Sequence, residues 1–124
     1  MKHEVPVING DGSISRDFTY IENVVQANHL AAIVEKREAL NQVYNVANGE
    51  RTTLNQLYSY LREFAGRFDS HILTIEPVYG PDRAGDIRHS LASIDKARNL
   101  LGYSPVKNVV QGLEASVEWF WNNL

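Results

Sequence analysis

Cysteine is missing altogether from the 124 residues, which excludes a disulfide framework, a thiolate nucleophile and a cysteine-based zinc or iron–sulfur centre. An excess of positive charge is also missing. Twelve Lys and Arg against fifteen Asp and Glu leave a formal charge of −3, so no overall basic field draws the chain to nucleic acid or to an anionic membrane. Any anion must therefore be bound locally. Long apolar runs are lacking too: the longest aliphatic stretch, Leu30 to Val34, falls far short of the roughly 20 residues that cross a bilayer. Met1 to Pro6 shows no apolar leader stretch, and with the absent cysteines this makes the cytoplasm the expected location. What is present is an ordinary globular composition, 44% apolar and 22% charged, and at this length one domain spanning 1–124 is expected.

Gly10-Asp11-Gly12 signals a turn, and Ile14, Arg16, Phe18 and Tyr20 then alternate with Ser15, Asp17 and Thr19 at the two-residue period of a strand. Arg16 shares the aromatic face of that strand, where a guanidinium needs an anionic or carbonyl partner. A structural ion pair and a ligand phosphate both meet that need. Asn23 is a plausible N-cap for a helix whose apolar positions are Val24, Ala27, Ala31 and Val34, ending near Lys36-Arg37. Val43 to Ala47 reads as a short strand. Thr53 and Gln56 form a capping-box pattern at the head of a second helix, with Leu54, Leu57, Tyr58, Leu61, Phe64 and Ala65 as its core stripe and Gly66 as its stop. Ile72 to Val78 reads as a strand leading into Tyr79 to Asp86, a loop rich in glycine, proline and charge that is the expected binding loop. Ser93 caps a third helix that Gly102 ends, and Val110, Leu113, Val117, Phe120, Trp121 and Leu124 mark a terminal helix. The succession implies one small mixed α/β unit.

Two motifs imitate catalytic signatures. Tyr103 and Lys107 have the Tyr-x-x-x-Lys spacing of short-chain dehydrogenases, but Pro105 between them disfavours the helix that would stack the two side chains. Gly10-x-Gly12 hints at a dinucleotide fingerprint, yet Ser15 stands in place of the third glycine and the segment leads into a strand pattern. The four histidines, at 3, 29, 71 and 89, show no ligand spacing, and no metal is expected.

The run Gly-Asp-Gly-x-x-x-Arg-Asp-Phe-x-Tyr-Ile-x-Asn-Val from Gly10 to Val24 resembles the extended short-chain dehydrogenase/reductase family of nucleotide-sugar epimerases and dehydratases. Val43 to Ala47 with Gly49, Arg51 to Asn55 and Arg83 to Ser90 match that family's carboxyl-terminal third in order. Within the family the chain is most similar to UDP-N-acetylglucosamine 4-epimerases. The resemblance implies an α/β fold of short strands and about four helices, the carboxyl-terminal part of an NAD-dependent epimerase/dehydratase lacking the Rossmann domain.

By position, Arg16 and Arg83 resemble the family's two diphosphate-gripping arginines, Asp86 its ribose-contacting acid, and Val7 the residue passing the uracil. Two guanidiniums suit this task because they offer paired donors to phosphate oxygens. Arg88 and His89 also match the family but stay outside the assigned site. The family's glycine-rich NAD motif and its Tyr and Lys catalytic pair have no counterpart here. The resemblance therefore implies a UDP-sugar partner, no cofactor on this chain, NAD in the intact parent, and no turnover by the chain alone. It further implies self-association through surface that the absent domain would cover. A nucleotide-sugar dehydratase or decarboxylase, or a noncatalytic association module, are the alternative readings.

Overall fold

A computed structural model describes residues 4–123. The element order is β1 (Val7–Asn9), β2 (Ser15–Arg16), α1 (Ile21–Ile33), β3 (Thr52–Thr53), α2 (Leu54–Gly66), β4 (Val78–Gly80), α3 (Asp95–Leu101) and α4 (Val109–Asn123), with 3-10 turns at Arg37–Ala39 and Ser70–Thr74. The small mixed α/β architecture with four helices agrees with the expectation.

The strands are short and belong to two ladders. β1 runs parallel to β4 with Val7 opposite Val78, and β2 runs antiparallel to β3 with Ser15 opposite Thr53. The far edge of β2 is occupied by residues 88–90: Ser15 N–H donates to the Arg88 carbonyl at 2.9 Å and Ser90 N–H donates to the Ser15 carbonyl at 3.2 Å. Paired on both edges, Ser15 is buried at 4% exposure. The longer alternation expected from Ile14 to Tyr20 therefore collapses to two ladder residues.

The main core joins Ala27 of α1, Ala47, Ile94, Ala97 of α3 and Tyr103. Its small side chains let α1 and α3 approach closely around the Tyr103 ring. Tyr103 is fully buried and its hydroxyl donates to the Ala47 carbonyl at 2.7 Å, while Lys107 pairs with Glu22 at the surface. The two residues of the dehydrogenase-like spacing thus serve separate structural ends. On the other side, α2 packs on α4, with Phe68 stacked on Trp121 at 5.3 Å between ring centroids. Gly112 admits the Tyr20 ring, since a Cβ there would lie 2.7 Å from it.

Local chemistry holds where its partners are local. Thr53 and Gln56 form the reciprocal capping box at the head of α2, and Gly102 closes α3 at φ +73. Other expectations need correction. Asn23 is not the N-cap of α1, which begins two residues earlier after Tyr20. Its fully buried side chain instead accepts from the Val106 and Lys107 N–H groups at 2.8 and 3.1 Å and donates to the Lys107 carbonyl at 2.7 Å. The same helix ends at Ile33, short of Lys36, and turns Ala31 outward. Gly66 is the last residue of α2 rather than its left-handed stop. It is small because Leu73 packs there, 2.4 Å from where a Cβ would stand.

Val43 to Ala47 forms no ladder, and Val43 is 85% exposed. Its backbone finds no strand to pair with among the described residues. Ile72 to Val78 divides into a 3-10 turn and the start of β4, because Asp69 caps that turn by accepting from the His71 N–H. Ser93 lies one place before the N-cap of α3, where its hydroxyl accepts from the Asp95 N–H at 3.4 Å. Leu124 lies outside the described residues.

Candidate functional site

The two ladders meet at a cavity of about 710 Å3 between the Gly10–Ile14 turn and the Tyr79–Arg88 loop. Its shape begins with Gly12. This residue has φ +74, a conformation that costs any side chain, and a Cβ on it would lie 2.0 Å from the Asn55 amide oxygen. Asn55 pins the turn to the head of α2: its backbone N–H donates to the Gly12 carbonyl at 3.1 Å, and its side-chain amide donates to the Asp11 carbonyl at 3.0 Å. Tyr79 donates its hydroxyl to the Asn55 amide oxygen at 3.0 Å, drawing β4 to the same corner.

The turn thus packs against the head of α2 and leads into β2, rather than itself continuing into the first turn of a helix. Because a strand and not a helix follows the turn, Gly10-x-Gly12 does not build the strand–turn–helix cradle of a dinucleotide fingerprint.

β2 supplies Arg16, whose neighbour Asp17 accepts from the Asn48 and Gly49 N–H groups at 2.9 and 3.0 Å and so anchors the strand end. Arg16 donates one guanidinium nitrogen to the Ser15 carbonyl at 2.9 Å and another to Asp86, with which it forms an ion pair. Both side chains of the pair keep about 30% exposure, so its contribution to stability is screened to about 1 kcal/mol or less. The anionic partner that the sequence demanded for Arg16 is therefore Asp86.

Arg83 and Asp86 stand where the larger cavity adjoins a second one of about 430 Å3, and both residues line each cavity. Arg16 lines the smaller cavity and Arg88 the larger. Of the sequence-selected residues, Arg16, Arg83 and Asp86 come together. Val7 is more remote: it is 64% exposed on β1 and lines neither cavity, although it flanks Gly80 of the cavity wall.

Asp11, Asp82 and Arg88 are cavity residues that sequence reasoning did not select. Asp11 could have been found from Asp-Gly-Ser, the pattern of an aspartate that accepts from the residue two places on. Hydrogen bonds from Ser13, aided by the charge of Arg88, hold the Asp11 carboxyl below its ordinary range. With guanidiniums and carboxylates facing one open cleft, the site can bind phosphate oxygens and accept hydrogen bonds from hydroxyls. Ser15 Oγ and His89 Nδ1, 2.9 Å apart beside the β2 ladder, line neither cavity.

No family model matches the chain. Among solved structures it is similar to the UDP-glucose 4-epimerase of Thermotoga maritima with UDP-glucose, at 39% identity and TM-score 0.82, over 97% of this chain and 36% of that one. It is similar to the UDP-N-acetylglucosamine 4-epimerase of Methanobrevibacter ruminantium in complex with UDP-N-acetylmuramic acid, at 34% identity and TM-score 0.81, over 98% and 36%. A UDP-glucuronic acid 4-epimerase of Bacillus cereus, solved with UDP-glucuronic acid and NAD, aligns at 27% identity and TM-score 0.78, over 96% and 36%. The chain spans about a third of the length of the curated relatives it matches.

Fold and sequence together place the chain in the nucleotide-sugar epimerase and dehydratase class. Within that class, it matches a carboxyl-terminal part of UDP-sugar 4-epimerases.

Proposed function

We propose that the chain is the UDP-sugar-holding part of a nucleotide-sugar 4-epimerase that interconverts UDP-N-acetylglucosamine and UDP-N-acetylgalactosamine. One observation carries the reading: Arg16 and Arg83 from distant elements converge with Asp86 around two adjoining cavities. Arg83 and Arg16 grip the diphosphate with paired donors, Asp86 accepts from the ribose hydroxyls, and the chain at Val7 passes the uracil. Because the ion pair with Asp86 is partly exposed and weak, a diphosphate that competes for Arg16 displaces it at small cost.

In this reading residues 1–124 act as a single nucleotide-sugar-binding domain, and NAD and the tyrosine and lysine that move protons belong to the remainder of the enzyme. The remainder performs redox chemistry at C4 of the sugar while this part keeps the nucleotide in place. Alone, the chain binds and does not turn over, and its location is the cytoplasm. The exposed Ile21, Val25 and Ile33 of α1 supply apolar surface for association with a further domain or another copy.

A second reading keeps the binding role and changes the reaction. A dTDP-glucose 4,6-dehydratase of Haemophilus influenzae is 33% identical over 94% of this chain and 35% of its own length, close to the identity of the epimerases.

Calorimetric titration with UDP-N-acetylglucosamine tests the role. Binding by the unmodified chain, its loss in the Arg16→Ala, Arg83→Ala double variant, and no heat with NAD are expected. A silent unmodified chain refutes the role and leaves association as the function.

A further inference from the structure

The three guanidiniums around the cavities are unequally engaged. Arg16 is occupied by Asp86 and by the Ser15 carbonyl, whereas the side chains of Arg83 and Arg88 make no hydrogen bond or ion pair among the described residues. Both unengaged groups line the larger cavity, and Arg16 does not. The same lining carries three carboxylates, those of Asp11, Asp82 and Asp86. Arg16 offsets Asp86, which leaves Arg83 and Arg88 facing Asp11 and Asp82.

Arg83 alone would leave this cleft net negative and repel a diphosphate; with Arg88 the fixed charges balance and guanidinium donors are free. The position of Arg88 is also built. Its carbonyl accepts from the buried Ser15 N–H at 2.9 Å, and the adjacent His89 ring meets the Ser15 hydroxyl, so the Arg88 backbone is fastened to β2 at the cavity edge.

We infer that Arg88 is a third anion-binding side chain of the site, acting with Arg83 across the larger cavity to admit the diphosphate of a nucleoside diphosphate. The inference rests on the nucleotide-sugar reading of the site. It adds a residue which that reading does not use.

The test is calorimetric titration of UDP at low and moderate salt into the unmodified chain, Arg88→Ala, Arg88→Lys, Arg83→Ala and, as a charge control, Arg37→Ala on the remote 3-10 turn. Arg88→Ala should weaken UDP about tenfold, with a shallower salt dependence. Arg88→Lys should recover part of the loss, because it restores the charge without the forked donors. Arg37→Ala should stay within twofold, and the melting temperature of ligand-free Arg88→Ala should match that of the unmodified chain.

UDP binding that Arg83→Ala abolishes and Arg88→Ala leaves within twofold overturns the inference while the nucleotide reading stands. An equal loss in Arg37→Ala, or a lowered ligand-free melting temperature in Arg88→Ala, overturns it in favour of net charge or scaffold. No UDP binding by the unmodified chain defeats the nucleotide reading, and the inference with it.

Discussion

Replacing Asn23 by aspartate separates two roles that one residue type serves equally well in a sequence. Were Asn23 the N-cap of α1, the change would be neutral or slightly favourable, because aspartate caps as well as asparagine and its charge suits the helix N-terminus. In the structure Asn23 is fully buried and joins α1 to the segment before α4 with three hydrogen bonds of 2.7 to 3.1 Å. Aspartate can accept the two N–H groups of Val106 and Lys107, but it cannot donate to the Lys107 carbonyl. It would set a carboxylate against that oxygen in a site closed to water.

An unmade buried hydrogen bond costs about 1–3 kcal/mol, and the approach of two acceptors adds to it. Val106 and Lys107 lie nearer the surface than Asn23, so water relieves part of the penalty, and about 2–4 kcal/mol is expected for Asn23→Asp. Asn23→Ala, which orphans all three backbone groups, should fall in the same range. Urea denaturation with the slope m held common to the three proteins reads the difference. A change within about 0.5 kcal/mol for Asn23→Asp, which is what an N-cap would give, would refute the bridging role.

Gly12→Ala should lose about 2–3 kcal/mol in the same assay, from the left-handed backbone and from displacement of the Asn55 amide that holds Asp11 and Tyr79. Tyr103→Phe should cost about 1–2 kcal/mol by leaving the buried Ala47 carbonyl unpaired, a drop of several degrees in Tm. Burial, with a smaller push from Asp17, raises the Tyr103 phenol, and the hydrogen bond that Lys107 donates to Glu22 raises the Lys107 ammonium. Both groups keep their protons in the folded chain where the unfolded chain loses them. Their contribution is thus complete below about pH 10 and fades as pH rises further. Alkaline unfolding followed by circular dichroism should begin above about pH 10, and Tyr103→Phe should flatten that dependence.

The sequence was legible where structure depends on near neighbours. Thr53 and Gln56 sit three apart and complete their box without help, and Gly102 ends α3 because its own backbone must turn left-handed. The aromatic and aliphatic stripe of α2 led to Phe64 in the core, but Leu61 of the same expected stripe is 44% exposed. Legibility failed where a partner is distant. Val43 to Ala47 has the residues of a strand, but a strand is a relation between two chains of hydrogen bonds, and the described residues offer it no second one. Gly66 looked like a helix stop because the packing of Leu73 against it is invisible locally.

At the site, Arg16 announced a need for an anion, and Asp86 lies 70 residues away. Arg88 matches the family but stays outside the sequence-based site, because a tie to a nearby carboxylate explains it as well; only the fold shows it lining the cavity with Asp11 and Asp82.

Nuclear magnetic resonance of the uniformly 15N-labelled chain, titrated with UDP, tests the central claim most directly because it shows where the nucleotide binds as well as whether it does. The expected result is a set of saturable amide shifts concentrated in Gly10 to Arg16 and in Asp82 to Ser90, with α4 unmoved. Shifts centred elsewhere, or none at saturating UDP, would contradict the assignment of this cleft as the nucleotide-diphosphate site.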